Sequence, residues 1–208
     1  MAKIAAVILA AGRSRRWRAG GGGGETKLAA PLGGKPIVRR VAEAALASRA
    51  APVAVVVGHA RETVASMLAG LPVTFAVNPD FAGGIASSLR VGLTVTPSDA
   101  DGAIVLLADM PNVEAPLIDA LIAAFEARPQ ARAVAPVQNG RRGNPVLISR
   151  ALFDRVMRLQ GDEGARRLIA ALGKSDVVEV AAADWDATFD VDTPADLAAA
   201  LRTGQVRG

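Results

Sequence analysis

Short apolar runs alternate with longer amphipathic stretches along most of this chain. The first run, Ile4–Ala10, is continuously apolar, which is typical of a strand buried on both faces of a sheet. Similar runs predict further strands at 53–57, 73–77, 103–108, 133–137, 146–148 and 177–181, and an extended segment at 189–193. The stretches between them predict helices at about 36–48, 61–69, 84–94 and 115–127, two short helices within 151–172, and a last helix opened by Pro194.

Repeated alternation of strand and helix predicts an α/β fold, a Rossmann-like three-layer sandwich whose sheet is mainly parallel. We interpret residues 1–208 as one domain, because only Gly20–Gly24 is of low complexity and it fits a flexible loop better than a linker. In sheets of this kind ligands bind beyond the carboxyl ends of the strands. The candidate motifs all follow predicted strands, so they are expected at that edge.

Composition narrows the chemistry that the chain can perform. Of its 208 residues 51% are hydrophobic, which is enough for a sizeable core. The absence of Cys excludes disulfides, thiolate metal sites and a cysteine nucleophile. His59 is the one histidine, so a multi-histidine metal site is excluded as well. It follows Gly58 at a predicted strand end, and we expect it to be exposed and without a role.

The charge of the chain favours small anionic ligands. Only four of its 24 basic residues are Lys, and arginine grips phosphate in a bidentate manner. The arginines are scattered and aromatic residues make up 3%, which argues against nucleic acid as a partner. We find neither a signal peptide nor an apolar run of about 18 residues, so we expect a cytoplasmic protein with no membrane partner.

A glycine-containing loop follows the first predicted strand. Small residues at its start, Leu9-Ala10-Ala11-Gly12, would let backbone amides approach a ligand closely, and Arg13 and Lys27 would add positive charge. Together these features indicate a phosphate cradle. A plain strand–turn–helix junction with solvated arginines is the alternative. The loop matches neither the dinucleotide fingerprint nor the P-loop.

Carboxylates follow two other apolar segments. Asp109 ends the run Leu106–Ala108, and alternation places Asp190 and Asp192 on one side of an extended segment. A carboxylate at the tip of a buried strand needs a cation or hydrogen bonds, and Mg²⁺ with substrate phosphates would satisfy it. The alternatives are that Asp109 and the Asp-Thr-Pro segment only cap helices.

Two further groups of residues fit ligand contacts. Asn78 and the segment from Gly84 to Ser88 precede or open a helix, where glycine permits close approach and hydroxyls can contact a ligand edge. A plain capped helix is the alternative. Arg141, Arg142 and Asn144 lie in one later loop, and Asp162 and Arg166 in another. These loops fit a second substrate, or else they are solvated turns.

These motifs together carry a resemblance to a known family. The stretch Val7–Arg16, then Lys27-Leu28 and Pro31–Pro36, resembles the signature of nucleotidyltransferases that include the molybdenum cofactor guanylyl- and cytidylyltransferases. The resemblance implies that the loop wraps a triphosphate while Arg13 and Lys27 neutralise charge as pyrophosphate leaves. It also implies that Asp109 and one of Asp190 and Asp192 hold Mg²⁺. The nucleotide-binding residues it implies are Leu9, Ala10, Ala11, Gly12, Asn78, Gly84 and Ser88. One departure is the longer segment before Lys27, which contains five glycines.

Finer features resemble the cytidylyltransferase subgroup. They are Ala11 in place of a glycine, the loop 140–145 and the loop 161–166. The resemblance implies transfer of CMP from CTP to the phosphate of molybdopterin, and a molybdoenzyme or its maturation chaperone as a partner. The acceptor-binding residues it implies are Arg141, Arg142, Asn144, Asp162 and Arg166.

Three other functions remain open at this point. A nucleotidyltransferase of the same fold could use a sugar or polyol phosphate or a related acceptor. A nicotinamide-dependent oxidoreductase would need the dinucleotide glycine pattern and an acidic residue after the second strand, where Gly58–Arg61 stands instead. A non-catalytic cofactor chaperone would bind the ligand without releasing pyrophosphate. The oligomeric state is left open.

Overall fold

The computed structural model describes residues 1–182 and 189–203. The strands in this part of the chain are β1 (Ile4–Ala10), β2 (Pro31–Leu32), β3 (Lys35–Pro36), β4 (Val53–Val57), β5 (Thr74–Val77), β6 (Gly102–Leu107), β7 (Ala133–Gln138), β8 (Arg141–Arg142), β9 (Val146–Ser149) and β10 (Val177–Ala181). The α-helices are α1 (Arg15–Ala19), α2 (Ile37–Ala47), α3 (Arg61–Met67), α4 (Ile85–Thr94), α5 (Ala115–Ala127), α6 (Phe153–Val156), α7 (Ala165–Ala170) and α8 (Pro194–Thr203). Short 3₁₀ turns occur at Lys27–Ala29, Phe81–Gly83, Arg150–Leu152 and Lys174–Asp176.

The large sheet has the strand order β10-β7-β9-β6-β1-β4-β5, with β8 paired to β7. Strand β1 lies at its centre and runs parallel to β4 and β6, with Ile8 opposite Val55 on one side and Leu106 on the other. Only β8 and β9 run antiparallel to their neighbours in this sheet. The prediction of a mainly parallel α/β sheet is therefore confirmed.

Helices cover both faces of the sheet, which explains why β1 is apolar at every position. Ile4, Ala6 and Ile8 belong to a buried cluster with residues of α2, α3 and α5. Val7 belongs to a second cluster, with residues of α4, α6 and α7 on the opposite face. Burial of each isoleucine or valine side chain in these clusters stabilises the fold by about 1.5–3 kcal/mol.

Helix α4 lies unusually close to the central strands. A Cβ atom built on Gly92 of this helix would lie 2.2 Å from Cγ1 of Val7 and 3.1 Å from Cγ2 of Val56. Only glycine permits this approach. The contact fixes the position of α4, and with it the serines of its first turn, relative to the end of β1.

The extended segment predicted at 189–193 does not join the sheet as a strand. Val191 donates one backbone hydrogen bond, 2.9 Å long, to the carbonyl of Asp109, and its side chain is buried, yet no ladder forms. The reason is that the segment crosses the end of β6 and then turns directly into α8. Helix α1 and the short strand β8 lie in segments that the sequence predicts as loops. Helix α2 begins at Ile37, because Pro36, the predicted start of that helix, belongs to the β2–β3 hairpin.

No helix within residues 1–182 and 189–203 is both long enough and apolar enough to cross a membrane.

Candidate active site

A cleft of about 810 Å³ opens at the carboxyl ends of β1 and β6. Its size lies within the range typical of ligand pockets, about 300–1,000 Å³. The residues that line it come from the loop after β1, the end of β6, the segment before α4, the loop before α7 and the segment before α8. They include Leu9, Ala10, Ala11, Gly12, Arg13, Lys27, Gly84, Ser88, Asp109, Asp162, Asp190 and Asp192 from the sequence-based prediction.

A second depression, of about 860 Å³, lies at the opposite edge of the sheet. Ala2, Phe125, Arg132 and Arg150 are among its lining residues. None of the predicted site residues lines it, so the chemistry belongs to the cleft at the carboxyl edge.

The loop after β1 leaves open space and free positive charge in the cleft. A Cβ atom built on Gly12 would have nothing within 4 Å. Arg13 and Arg15 are exposed, line the cleft, and form no ion pair with any other residue that the structure describes. Such guanidinium groups are available to an anionic ligand.

Lys27 is held between two carboxylates in the same cleft. Its Nζ atom donates to Oδ2 of Asp109 at 2.6 Å and to Oδ1 of Asp192 at 2.7 Å. The residue is 9% exposed, and the short turn around it is anchored by Thr26, whose hydroxyl accepts from the amide of Leu28. The structure thus brings together three residues that lie far apart in the sequence.

Neither aspartate serves as a helix cap. Helix α5 begins after Glu114, well beyond Asp109. At the start of α8, Thr193 and Asp196 form a reciprocal capping box: Asp196 N donates to the Thr193 hydroxyl at 3.2 Å, and Thr193 N donates to the Asp196 carboxylate at 2.7 Å. Asp192 is therefore free to bind Lys27.

The charges in the cleft shift two pKa values upward. Burial by itself would lower the pKa of Lys27, but attraction and hydrogen bonds from Asp109 and Asp192 outweigh it and raise that pKa, so the ammonium stays protonated. Partial desolvation, together with repulsion from Asp192 and Asp109, raises the pKa of Asp190. The carboxylates of Asp109, Asp190 and Asp192 therefore concentrate negative charge, which a bound cation would neutralise in part.

The residues at this point fit a divalent cation that prefers oxygen ligands. Asp109 Oδ1 is buried and has no hydrogen-bond partner among the described residues. Magnesium is commonly bound by one or two carboxylates plus substrate phosphates. No cluster of three or more Asp, Glu, His or Cys residues capable of holding a metal occurs in residues 1–182 and 189–203. Asp109 and Asp192 would thus hold the ion only together with a ligand.

A fixed polar network lies behind the opening of α4. The amide of Asp80 donates to Asn78 Oδ1 at 2.9 Å, which orients the Asn78 carboxamide, and Nδ2 then donates to the hydroxyls of Ser87 and Ser88 at 2.9 and 3.0 Å. Ser87 donates onward to backbone carbonyls. Ser88 accepts from Asn78 and lines the cleft, so its own proton can point toward a ligand. Asn78 is 1% exposed and lies outside the lining.

Gly84 packs closely against the backbone of Gly161. A Cβ atom there would lie 2.2 Å from the carbonyl oxygen of Gly161, and the φ of Gly84 is +91°. The same carbonyl accepts from the amide of Ala86 at 3.1 Å. This contact brings the loop with Asp162 to the cleft.

The other predicted acceptor residues do not line the cleft. Arg142 Nε donates to Glu179 at 2.8 Å, which turns its guanidinium toward β10. Arg141 and Arg166 are exposed, and Asn144 is 8% exposed. Only Asp162 of this predicted group lines the cleft.

Sequence reasoning missed several residues of the site. Arg16 binds the second oxygen of Asp192 at 2.5 Å. Ser14 joins the two ends of the loop, since its hydroxyl lies 3.1 Å from that of Thr26 and accepts from Lys27 N at 3.2 Å. The run of cations beside Arg13 was visible in the sequence, but their partners were not.

The expected exposure of His59 is wrong. Its Nε2 atom is buried and has no partner in the part of the chain that the structure describes. The ring lies 5.9 Å from that of Phe81. Phe81 also packs against Gly58, the residue before His59, since a Cβ atom on Gly58 would lie 2.6 Å from Phe81 Cβ.

Comparison with known proteins identifies the family to which this chain belongs. A family model described as the MobA-like NTP transferase domain matches residues 6–177. The chain belongs to this family. It is thus a nucleotidyltransferase, and we refer to it below as the transferase.

Relatives of the transferase cover most of its length. It is 36% identical over 198 residues to the purine catabolism protein PucB of Bacillus subtilis (strain 168), a match that spans 90% of the transferase and 91% of PucB. It is 30% identical over 195 residues to the bifunctional protein GlmU of Leifsonia xyli subsp. xyli, covering 91% of the transferase but 39% of GlmU.

Solved structures share the fold. The crystal structure of Rv0371c from Mycobacterium tuberculosis H37Rv is similar with a TM-score of 0.83 and 27% identity over 97% of the transferase and 98% of that chain. A structure of Rv0371C in complex with manganese has a TM-score of 0.80 and 25% identity over 97% and 99% of the two chains.

Proposed function

We propose that the transferase moves CMP from CTP to the phosphate of molybdopterin and releases pyrophosphate, with Mg²⁺ as its cation. The observation that supports this proposal is the Lys27 ammonium between Asp109 and Asp192, in a cleft open at the carboxyl edge. Arg13 and Arg15 lie in the same cleft and form no ion pair within the described residues. Such a site offers carboxylates to a metal and cations to a triphosphate, and it contains neither thiol nor imidazole among its lining residues.

The reaction needs positioning and neutralisation of charge more than proton transfer. An oxygen of the acceptor phosphate attacks the α-phosphorus of CTP, a new phosphorus–oxygen bond forms, and the bond from the α-phosphorus to the β-bridging oxygen breaks. The electron pair leaves with pyrophosphate. Because the attacking oxygen is already anionic, no general base is required. Arg13 and Lys27 would bind the triphosphate and stabilise charge as it moves to the leaving group.

A bound divalent cation would neutralise phosphate charge and act as a Lewis acid. Asp109 and Asp192 would hold it, with the buried Oδ1 of Asp109 as one ligand. Arg16 holds the second carboxylate oxygen of Asp192 and so orients it.

CTP is expected to be used in preference to GTP. The Ser88 hydroxyl would donate its proton to an acceptor on the base, and Ala11, in place of a glycine, lines the same cleft. A difference of about one methyl group in a pocket discriminates by about 10–200-fold. The measurement is a competition assay in which the two nucleotides are present together. Equal use of GTP and CTP contradicts the assignment.

Paired serine variants test the same preference. Ser88→Ala removes the hydroxyl that lines the cleft and is expected to lower the preference for CTP. Ser87→Ala removes a hydroxyl that donates to the Asp80 and Gly84 carbonyls and is the control expected to keep it. If the two variants select nucleotides alike, Ser88 does not contact the base.

Arg166→Ala is expected to weaken binding of the acceptor and to leave binding of CTP unchanged. The exposed Arg166 guanidinium follows the loop in which Asp162 lines the cleft, and removal of a hydrogen bond to a charged group costs about 1.5–3 kcal/mol. Arg167→Ala is the matched control, because Arg167 pairs with Glu163 at 3.1 Å. Calorimetric titration with CTP and with acceptor separates the effects, and loss of CTP binding would place Arg166 on the nucleotide.

The proposal as a whole is tested by pyrophosphate release. The transferase is incubated with Mg²⁺, each of the four nucleoside triphosphates, and either molybdopterin or a set of sugar phosphates. The proposal predicts release with CTP and molybdopterin. Release only with a sugar phosphate would reassign the acceptor, and ligand binding with no release would indicate a cofactor chaperone.

A further inference from the structure

The loop between Arg16 and Lys27, whose five glycines predict flexibility, has a defined conformation around Trp17. The indole Nε1 donates to the Gly23 carbonyl at 3.0 Å, and the amide of Gly22 donates to the Trp17 carbonyl at 2.9 Å. The Trp17 side chain is buried, at 5% exposure. The glycine run thus closes over one side of the indole.

Gly22 contacts the indole through its backbone. A Cβ atom built there would lie 2.3 Å from Nε1 and 2.4 Å from Cε2 of Trp17, which no real contact allows. A Cβ atom built on the neighbouring Gly23 would have nothing within 4 Å. The two glycines therefore have different roles, although the sequence does not distinguish them.

Trp17 shares a buried cluster with the segment that carries the carboxylates. Val191, which is 0% exposed, belongs to this cluster and lies between Asp190 and Asp192. The glycine run itself reaches the next residues of that segment, since a Cβ on Gly20 would lie 3.1 Å from Cδ of Pro194. Packing around Trp17 therefore joins the cation-bearing loop to the carboxylate-bearing segment.

Both ends of the loop lead to the charged centre of the cleft. Arg16, the residue before Trp17, binds Asp192 at 2.5 Å. At the other end the amide of Lys27 is held by the Ser14 hydroxyl at 3.2 Å. A displacement of the indole would therefore be transmitted to Asp192 and to Lys27 together.

We infer that Trp17, enclosed by Gly20–Gly24, is a positioning residue that fixes Lys27 and Asp192 relative to each other. The inference concerns how this site is built, and its catalytic consequence rests on the proposed function. The glycine run acts by providing room for the indole, not by moving.

Two substitutions that are chemically identical test the inference. Gly22→Ala places a methyl group into the indole, whereas Gly23→Ala places one into open space and retains the carbonyl that Trp17 binds. Misplacement by about 1 Å can cost about 10²-fold in rate. We expect pyrophosphate release by Gly22→Ala to fall by about that factor, and release by Gly23→Ala to stay within about twofold. If both variants lose activity alike, the run acts through flexibility; if neither does, the enclosure has no role.

A second readout does not depend on the reaction. The chain has only four lysines, so ¹⁵N-lysine labelling resolves the Lys27 ammonium by NMR, with Lys27→Met for assignment. We expect the Lys27 signal to shift or vanish in Gly22→Ala and to persist in Gly23→Ala. If the Lys27 signal behaves in this way but the wild-type protein releases no pyrophosphate, the positioning role is upheld and the proposed reaction is refuted. An unchanged signal in a folded Gly22→Ala protein would overturn the inference.

Should Gly22→Ala fail to fold, Trp17→Phe provides the same test. Phenylalanine keeps an aromatic ring in the cluster and removes the bond to Gly23. We expect a shifted Lys27 signal and a reduced maximal rate in a folded protein. A folded Trp17→Phe variant with the wild-type signal and rate would refute the role of Trp17.

Discussion

Replacement of Asp109 by asparagine is expected to abolish nucleotidyl transfer and to leave the fold intact. The amide has the same shape as the carboxylate and can still accept the hydrogen bond from Lys27, so the packing at the end of β6 is kept. It lacks the charge that would hold a divalent cation and fails to supply the buried anionic oxygen Oδ1. Loss of metal-assisted charge stabilisation costs several kcal/mol, and about 4 kcal/mol corresponds to about 10³-fold in rate.

Steady-state pyrophosphate release is the measurement for Asp109→Asn, with circular dichroism to verify folding. Asp101→Asn is the matched control, because Asp101 lies just before the other end of β6 and its carboxylate accepts from the amide of Lys3. The control is expected to turn over at the wild-type rate. Wild-type turnover by Asp109→Asn in the presence of Mg²⁺ would show that the metal is held elsewhere.

Replacement of Lys27 by methionine is expected to lower the rate and to raise the affinity for a divalent cation in the absence of nucleotide. The rate falls because one cation that would stabilise the leaving pyrophosphate is lost, an effect of about 10²–10³-fold. The affinity rises because the Lys27 ammonium already neutralises Asp109 and Asp192 and so competes with a metal ion for the charge of the same two carboxylates.

Titration with Mn²⁺ followed by electron paramagnetic resonance measures the second effect directly. Lys35→Met is the control, since Lys35 pairs with Glu43 outside the cleft. We expect the control to bind Mn²⁺ as the wild-type protein does. If Lys27→Met binds Mn²⁺ no better than the wild-type protein, Lys27 and the metal do not share the carboxylates. An unchanged rate would remove Lys27 from the triphosphate.

The position of the cleft could be predicted from the sequence because parallel strands place their carboxyl ends at one edge. The apolar runs before Gly12 and Asp109 end abruptly, and β1 and β6 are neighbours, so the two motifs meet. Lys27 follows in the loop after the first of these runs, and the resemblance to nucleotidyltransferases assigned it to the triphosphate. The structure places all three residues in the cleft lining.

The partners of each charged group could not be predicted, because they depend on how distant segments pack. The sequence left open whether Asp192 caps a helix, and only the Thr193–Asp196 capping box shows that it does not. The sequence allowed Arg142 to be assigned to a ligand because its actual partner, Glu179, lies two strands later in the chain. Only the pairing of β8 and β10 with β7 brings the two residues together.

The glycine run shows a further limit of sequence patterns. Composition predicts flexibility for Gly20–Gly24, yet Gly22 is required by the volume of the Trp17 indole. Neighbouring glycines with different surroundings look identical in sequence. His59 is a similar case, because neither the burial of its Nε2 atom nor its contact with the Phe81 ring could be read from neighbouring residues in the sequence.

Transfer of labelled nucleotide to molybdopterin follows the proposed reaction itself. The wild-type transferase is incubated with Mg²⁺, molybdopterin and CTP labelled with ³²P at either the α- or the γ-phosphate, and the products are separated. We predict that the α-label appears in a cytidylylated molybdopterin and the γ-label in pyrophosphate, in equal amounts. Retention of both labels in CTP, or release of the γ-label as inorganic phosphate with no label in the acceptor, would contradict it.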